Sequence, residues 1–351
     1  MTTRRRSRPI RFIFPRRYRV LGMKSTQQRR RREDFQGWLW KGKFSGSGTL
    51  SGAGSDETIR GMEHLRLPEA RKVAVEAALR AGELLLRNLG AKKVVQASTQ
   101  HDVKLELDVR VQRLIERTLR EKFPEIPFLA EEEGKQEVEG PVPFRWVVDP
   151  IDGTVNYAHG IPHACVSIAL QRLVEGSAGG GSEAESEKRS DPPRVYETIL
   201  GVVYDPFCDE LWTADLRHKT RLNGEPVRVI PRPLEESIIC LGFGKSEQVL
   251  RYLEPALREL SGRVRKIRIM GSAALALTYV ASGRFDAYLE PSLQLWDIAA
   301  GGFLVQRAGG VYEMYPRRDR VGFSVFAHNG EAGAKLLELL PEEWMRWMQG
   351  G

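Results

Sequence analysis

From Leu67 onward, apolar positions recur at the spacings of regular structure. The stretch "LPEARKVAVEAALRAGELLLRNLG" carries them at helical spacing, with Pro68 in a first turn and Gly90 where a C-cap glycine belongs. A second amphipathic helix reads from "DVRVQRLIERTLREKF". Short apolar runs then end abruptly in acids: "IPFLAEEEG" and "RWVVDPIDGT". "HACVSIALQRL" and "VYETILGVVYDP" read as consecutive strands, separated by a polar, low-complexity segment near 174–194 that reads as an exposed insertion. Asn223-Gly224 marks a hairpin turn. Past about residue 230, strands and helices alternate through "SIICLGF", "EQVLRYLEPALREL", "RVRKIRIM", "SAALALTYVASG", "FDAYLE" and "WDIAAGGFLVQRAGG", an α/β rhythm. No internal repeat is found.

Residues 1–61 lack this periodicity. The stretch starts arginine-rich and continues into "KGKFSGSGTLSGAGSDE", a linker composition. Three readings stay open for it: a disordered tail or over-extended start (Met23 and Met62 are internal candidates), an organelle transit peptide, or a binder of anionic surfaces. Charge separates it from the rest. Of 54 Lys+Arg, 13 lie in the first 32 residues, which hold no Asp or Glu; the remaining 319 residues carry 41 basic and 46 acidic side chains, a net of −5. The body gives no electrostatic case for nucleic acid. No apolar run approaches the roughly 20 residues that cross a bilayer. Cys165, Cys208 and Cys240 form no CxxC pair and read as three largely buried thiols of a reducing compartment. The expected location is cytoplasmic, or an organelle if the basic extension is a transit peptide.

The acids at the element ends carry the chemistry. They are Glu131-Glu132 after "PFLA", Asp149 and Asp152 after "WVV", Asp297 opening "WDIAAGG", and Asp102 and Asp108 in "HDVKLELD". Ligand sites of layered α/β proteins sit at strand ends. Gathered carboxylates repel one another, and a hard divalent cation such as Mg²⁺ relieves this. Gly153 permits close backbone approach, and the N–H groups beyond it could hold a phosphate. Cation, phosphate and the Thr154 hydroxyl together suggest metal-assisted phosphate-ester hydrolysis. Asp-Pro and Asp-Gly are ordinary turn dipeptides, and "WDIAAG" alone reads as a capped helix; the ordered combination is what points to a site.

That combination resembles the inositol monophosphatase family of lithium-sensitive, magnesium-dependent phosphatases. Asp102, Glu131-Glu132, the run Asp149-Pro150-Ile151-Asp152-Gly153-Thr154 with Asn156, and Trp296-Asp297 stand in the family's order, over roughly residues 65–345. The resemblance implies an αβαβα sandwich of the inositol monophosphatase / fructose-1,6-bisphosphatase type. Its expected parts are an α+β part over 62–228 with most metal ligands and an α/β part over 229–351 with Asp297 and the substrate contacts. It implies two or three Mg²⁺ per site: one on Glu131, Asp149 and the Ile151 carbonyl, a second on Asp149, Asp152 and Asp297, and a third leaning on Glu131. A water held by metal, Glu131 and Thr154 would attack phosphorus, with Asp102 orienting or deprotonating Thr154. Gly271, Ser272 and Ala273 would line the substrate beside Asp152, Gly153 and Thr154, and Glu290 would accept sugar-alcohol hydroxyls. Ser272 also reads as a helix N-cap. His101, His159 and His163 read as loop or structural residues. Leu105, beside Lys104, replaces a family threonine in "DVKLELD".

These implications give a phosphatase acting on a small polyol phosphate, myo-inositol monophosphate first. A 3′-phosphoadenosine 5′-phosphate-type nucleotide, fructose 1,6-bisphosphate and histidinol phosphate are the rivals within the class. A non-catalytic regulatory or RNA-associated protein is the rival outside it. No nucleic acid is expected on the body and no membrane, and a homodimer is left open.

Overall fold

The structure is a computed structural model, describing residues 65–91, 95–98, 103–132, 142–175, 194–242, 247–317 and 322–340. The stretch 1–61, the pair His101 and Asp102, and most of the 174–194 insertion lie outside the described residues.

Helix α1 (Leu67–Asn88) buries an alanine-rich stripe that includes Ala70, Ala74, Ala77 and Ala81, and so approaches its neighbours closely. Its end corrects one expectation. Gly90 does not adopt the left-handed conformation of a glycine cap; Leu89 keeps helical dihedrals (φ −58°, ψ −44°) and its N–H reaches back to Leu86 O. A short ribbon pairs β1 (Val95–Ser98) with β2 (Val103–Leu105) and leads into α2 (Glu106–Arg120).

Seven strands follow in one sheet, in sequence order: β3 (Phe128–Ala130), β4 (Phe144–Asp152), β5 (Cys165–Glu175), β6 (Arg194–Asp205), β7 (Glu210–Asp215), β8 (His218–Leu222) and β9 (Glu225–Pro226). Only β3 and β4 run parallel. A five-residue helix, α3 (Thr154–Ala158), interrupts between β4 and β5. Asn223 (φ 48°) and Gly224 (φ 88°) form the β8–β9 hairpin turn, whose two left-handed positions explain the Asn-Gly pair.

A second, five-stranded sheet has the order β11-β10-β12-β14-β13. Its elements are β10 (Ile238–Leu241), α4 (Glu247–Ser261), β11 (Lys266–Arg268), α5 (Ala273–Ala281), β12 (Ala287–Leu293), α6 (Leu295–Arg307), β13 (Val311–Pro316), β14 (Phe323–His328) and α7 (Glu331–Leu339). Strand β10 lies parallel to both β11 and β12, while β14 runs antiparallel to β12 and β13.

The layers are those of an αβαβα sandwich. Helices α1 and α2 cover the outer face of the seven-stranded sheet. Between the sheets lie α5 and α6, where Ala274, Leu277, Ile298 and Leu304 pack against Val147, Val203 and Trp212 on one side and Tyr288 and Val325 on the other. Beyond the second sheet, Leu253 and Leu260 of α4 and Leu336 of α7 pack on Leu241, Leu289 and Phe326. Because α5 and α6 face apolar surface on both sides, they are apolar nearly all round. One cysteine expectation also changes: Cys165 and Cys240 are buried, but Cys208, in the tight turn after β6, is exposed.

Candidate active site

The apolar run of β4 follows the two-residue period of a strand. Trp146 meets the ring of Phe123, while Val147 joins the core between the sheets. Asp149 therefore faces inward, below α5 and α6. Asp152, three residues on, would face outward in a regular strand. A bulge corrects this: Asp149 pairs with Ser167 and Asp152 with Cys165, so β4 takes three steps where β5 takes two. The extra residue turns Asp152 to the side of Asp149. Two carboxylates at odd spacing thus reach one face.

Once there, Asp152 is gripped by the N-terminus of α5. It accepts hydrogen bonds from Ser272 Oγ (2.5 Å), the Ala274 N–H (2.7 Å), the Ala273 N–H (3.3 Å) and Cys165 Sγ (3.7 Å). Ser272 caps that helix as well, accepting from the Leu275 N–H at 3.4 Å. Both its expected positions, helix cap and pocket wall, are the same place. Asp297 is the third residue of α6 and accepts from the Gln294 N–H at 2.7 Å. Asp149 lies close enough to interact with it. Ser167, opposite Asp149, donates to Trp296 O at 3.3 Å and ties the start of α6 to β5.

Thr154 donates to Ile151 O at 2.8 Å, and the Ile151 N–H donates to Asp149 Oδ1 at 2.9 Å. The hydroxyl, the carbonyl and the first acid are therefore contiguous. Gly153 sits at φ 92°, where an added Cβ would lie 2.9 Å from His163 O, so this turn excludes a side chain for two independent reasons. The Glu131–Glu132 turn is fixed from α2: buried Gln112 accepts the Glu132 N–H at 2.9 Å through Oε1. Glu131 itself is exposed at the rim. His163 is set edge-on against Tyr279, and its burial lowers its pKa.

The electrostatics follow from crowding. Asp149 is held well above the usual carboxylate range, first by burial and then by the charges of Glu131, Asp152 and Asp297. Burial also raises Asp152, against the opposing bonds from Ser272 and the α5 N–H groups. Asp297 is pushed up to about 8 by burial and by Asp152. Burial and the same two β4 acids keep the Cys165 thiol protonated. Among the described residues, no lysine or arginine pairs with Asp149, Asp152 or Asp297.

This donor set fits a hard divalent cation: it is all oxygen, buried, negative and repelled by itself. As the side chains stand, no three His, Cys, Asp or Glu groups among the described residues converge as ligands of one ion. Their hydrogen bonds give the reason. Asp152 is turned onto α5, Asp297 onto Gln294, and Asp149 onto Ile151. Asp149 stands near enough to Glu131, Asp152 and Asp297 for their charges to raise it, and these are oxygen donors of the kind a hard divalent cation takes.

Of the residues singled out from the sequence, Asp149, Ile151, Asp152, Gly153, Thr154, Gly271, Ser272, Ala273 and Asp297 come together; Glu131 and Glu290 stand close enough for their charges to act on the group. Asp102 lies outside the described residues. The sequence reading missed what Asn156 does. Its amide donates to His163 O (2.9 Å), Met270 O (2.9 Å) and Gly271 O (3.3 Å), clamping the turn before α5 onto α3. It also missed Gln112, whose only signal was a polar side chain on the apolar stripe of α2.

Comparison with known proteins agrees with this geometry. A family model described as the inositol monophosphatase family matches residues 67–180 and 196–344. Inositol-1-monophosphatase of Rhizobium meliloti (strain 1021) is 37% identical over 246 residues, covering 68% of this chain and 82% of that protein. Nus factor SuhB of Escherichia coli (strain K12) is 35% identical over 244 residues, covering 68% and 82%. Among solved structures, the extragenic suppressor protein suhB from Bartonella henselae aligns with a TM-score of 0.63 and 32% identity, over 77% of this chain and 98% of that one. Inositol monophosphatase from Anabaena (Nostoc) sp. PCC 7120 gives 0.61 and 31%, over 79% and 98%.

Proposed function

Because the chain belongs to the inositol monophosphatase family, we propose that it is a magnesium-dependent phosphomonoesterase acting on a small polyol phosphate, myo-inositol monophosphate first. The observation that carries this reading is the gathering of buried Asp149 and Asp152 with half-buried Asp297, with no cationic partner among the described residues.

Glu131, Asp149, the Ile151 carbonyl, Asp152 and Asp297 are the residues that would hold Mg²⁺. When bound, such ions neutralise phosphoryl charge and make water a better nucleophile at neutral pH. The chain's own groups do the rest. Asp152 is fixed by three donors of α5, so it keeps its position as charge around it changes. The Thr154 hydroxyl, resting on Ile151 O, is placed to orient a water and pass on its proton. Glu131 at the rim can accept that proton while open to solvent. Glu290, on the second sheet, would receive the alcohol end of the substrate.

A panel of phosphate esters with Mg²⁺ tests the reading: myo-inositol 1-phosphate, 3′-phosphoadenosine 5′-phosphate, fructose 1,6-bisphosphate and histidinol phosphate. The expected result is the highest kcat/KM on the inositol ester, abolished by chelation. Preference for another ester moves the substrate and keeps the class, whereas no phosphate release from any of them overturns the reading. The relatives named Nus factor SuhB go with a second reading, a non-catalytic regulatory or RNA-associated protein. RNA binding by the full chain, without phosphate release, would support that reading instead.

A further inference from the structure

Glu290 stands in the middle of β12, where a second bulge interrupts the pairing. Glu290 pairs with Val325 and Leu293 with Phe323, so β12 also takes three steps against two, with Ser292 at φ 65° inside the irregularity. A strand made irregular at this point does not by itself aim a long carboxylate. Two neighbours do.

Tyr288 lies two residues earlier on the same face of β12. It is buried in the core between the sheets, and its hydroxyl donates to Glu290 Oε2 at 2.5 Å. Burial beside Glu290 raises the phenol's pKa, so it remains a donor. The second neighbour is a missing side chain. The parallel pairs Cys240–Tyr288 and Leu241–Leu289, continued one step, set Gly242 beside Glu290, with the Gly242 N–H on Leu289 O at 3.0 Å. The carboxylate lies over Gly242: a Cβ there would overlap Oε2, Cδ and Oε1 of Glu290, its three nearest atoms. Gly242 is not among the left-handed glycines, so its backbone does not require glycine. The space it leaves is taken by the carboxylate.

We propose that Tyr288 and Gly242 are positioning residues that set the substrate selectivity of the site, the phenol pulling and the bare glycine admitting the Glu290 carboxylate into the place where it meets a polyol hydroxyl. This rests on the polyol-phosphate reading above. It assigns no reacting group; it explains why one flexible acid could discriminate between alcohols.

The test compares Tyr288→Phe, Gly242→Ala and Glu290→Gln in the full chain with Mg²⁺. The readout is the ratio of kcat/KM for myo-inositol 1-phosphate to that for p-nitrophenyl phosphate, whose leaving group has no ring hydroxyls. Loss of one hydrogen bond involving a charged group predicts a fall of about ten- to a hundredfold in this ratio for Glu290→Gln. Tyr288→Phe, which leaves the carboxylate in place but unanchored, should lower it by about three- to thirtyfold. Gly242→Ala, which displaces the carboxylate from the opposite side, should fall in the same range. Product inhibition separates the two ends of the substrate: Ki for myo-inositol should rise in all three variants, with Ki for inorganic phosphate unchanged. If Glu290→Gln lowers the ratio while Tyr288→Phe and Gly242→Ala leave it at the wild-type value, or depress both substrates equally, the positioning claim is overturned and the polyol reading stands. If Glu290→Gln leaves the ratio unchanged, the role of Glu290 and this inference fall together. Should Tyr288→Phe not fold, Gly242→Ala decides alone, because the atoms nearest its added methyl belong to the end of a flexible side chain.

Discussion

Asp149 and Asp286 are buried to the same degree, at 2% and 1% exposure, and the protein treats them in opposite ways. Asp286 receives Arg232 (3.0 Å), the Asn329 amide (3.0 Å) and the Ile238 N–H (2.8 Å). Asp215 is served likewise, by Arg71 at 2.9 Å, by His218 and by two backbone N–H groups. These acids tie loops and helices to the sheets and carry their own cation. Asp149, Asp152 and Asp297 have N–H groups and a hydroxyl but, among the described residues, no cationic partner. A buried carboxylate without one is costly. The difference teaches where the fold has spent charge on structure and where it has left negative charge for something that binds.

The strongest way to break this comparison is Asp149→Asn. It keeps the size and removes the charge. If the acid serves ligation, kcat/KM should fall on the order of a thousandfold or more, the several kcal/mol that metal-type charge stabilisation supplies. Without divalent cation, the variant's thermal midpoint should match or exceed that of the wild type, because a repelled charge has gone. Mg²⁺-dependent turnover at the normal rate would sink the assignment.

Asp286→Asn is the counterpart. It strands Arg232, whose side chain is 31% exposed. After discounting for that exposure, the loss should be about 2 kcal/mol, read as a lower urea midpoint. Activity per folded molecule should persist. A catalytic loss with normal stability would erase the distinction between the two sets of acids.

A pH series sharpens the contrast. Asp297 titrates near 8 in the folded chain, against an ordinary carboxylate value near 3.8. A raised carboxylate binds its proton more tightly when folded, so its contribution is complete below about pH 4 and is lost as pH rises towards 8. In the presence of EDTA, the thermal midpoint should therefore decline from pH 5 to pH 8. Mg²⁺ should stabilise more at pH 8 than at pH 5, since ligands must be deprotonated. Asp297→Asn should flatten the decline, and an equal Mg²⁺ shift at both pH values would contradict the model.

The smallest effect is expected from removing residues 1–61, which supply none of the acids named above. kcat and KM for a small phosphate ester should stay within about twofold of the full chain, in line with the linker-like composition. A large loss in soluble truncated protein would make the extension part of the working unit.

Much of this was legible in the sequence because local pattern and chemistry coincide in it. "WVV" before Asp149 reads as an apolar strand that stops at an acid, and "DPIDGT" sets two acids, a glycine turn and a hydroxyl within six residues. Ser272 could be read as a cap from its place before "AALAL". What stayed hidden depends on contacts between distant segments. The hold of Ser272 on Asp152 joins residues 120 positions apart. Gly242 reads as one more residue of "SIICLGF" until strand pairing sets it beside Glu290. Asn156 reads as an ordinary helix residue until Met270 and Gly271 arrive from the second sheet's side. Gly90 and Cys208 were misread because sequence supplies a residue's usual habit, whereas local dihedrals and a surface turn decided these cases.

One feature of α6 reaches beyond chemistry. Its first turn carries Asp297, but small residues downstream set how near the helix lies. Gly201 on β6 faces Ala300, whose carbonyl would stand 2.9 Å from any added Cβ; Gly301 faces Leu277, and Gly302 faces the Tyr312 ring. Enlarging any of them pushes on the rod that holds the acid. A screen for inactivating mutations in this gene should therefore return Gly201, Gly301 and Gly302 beside the acids. Ranking variants by distance from Asp297 would miss them.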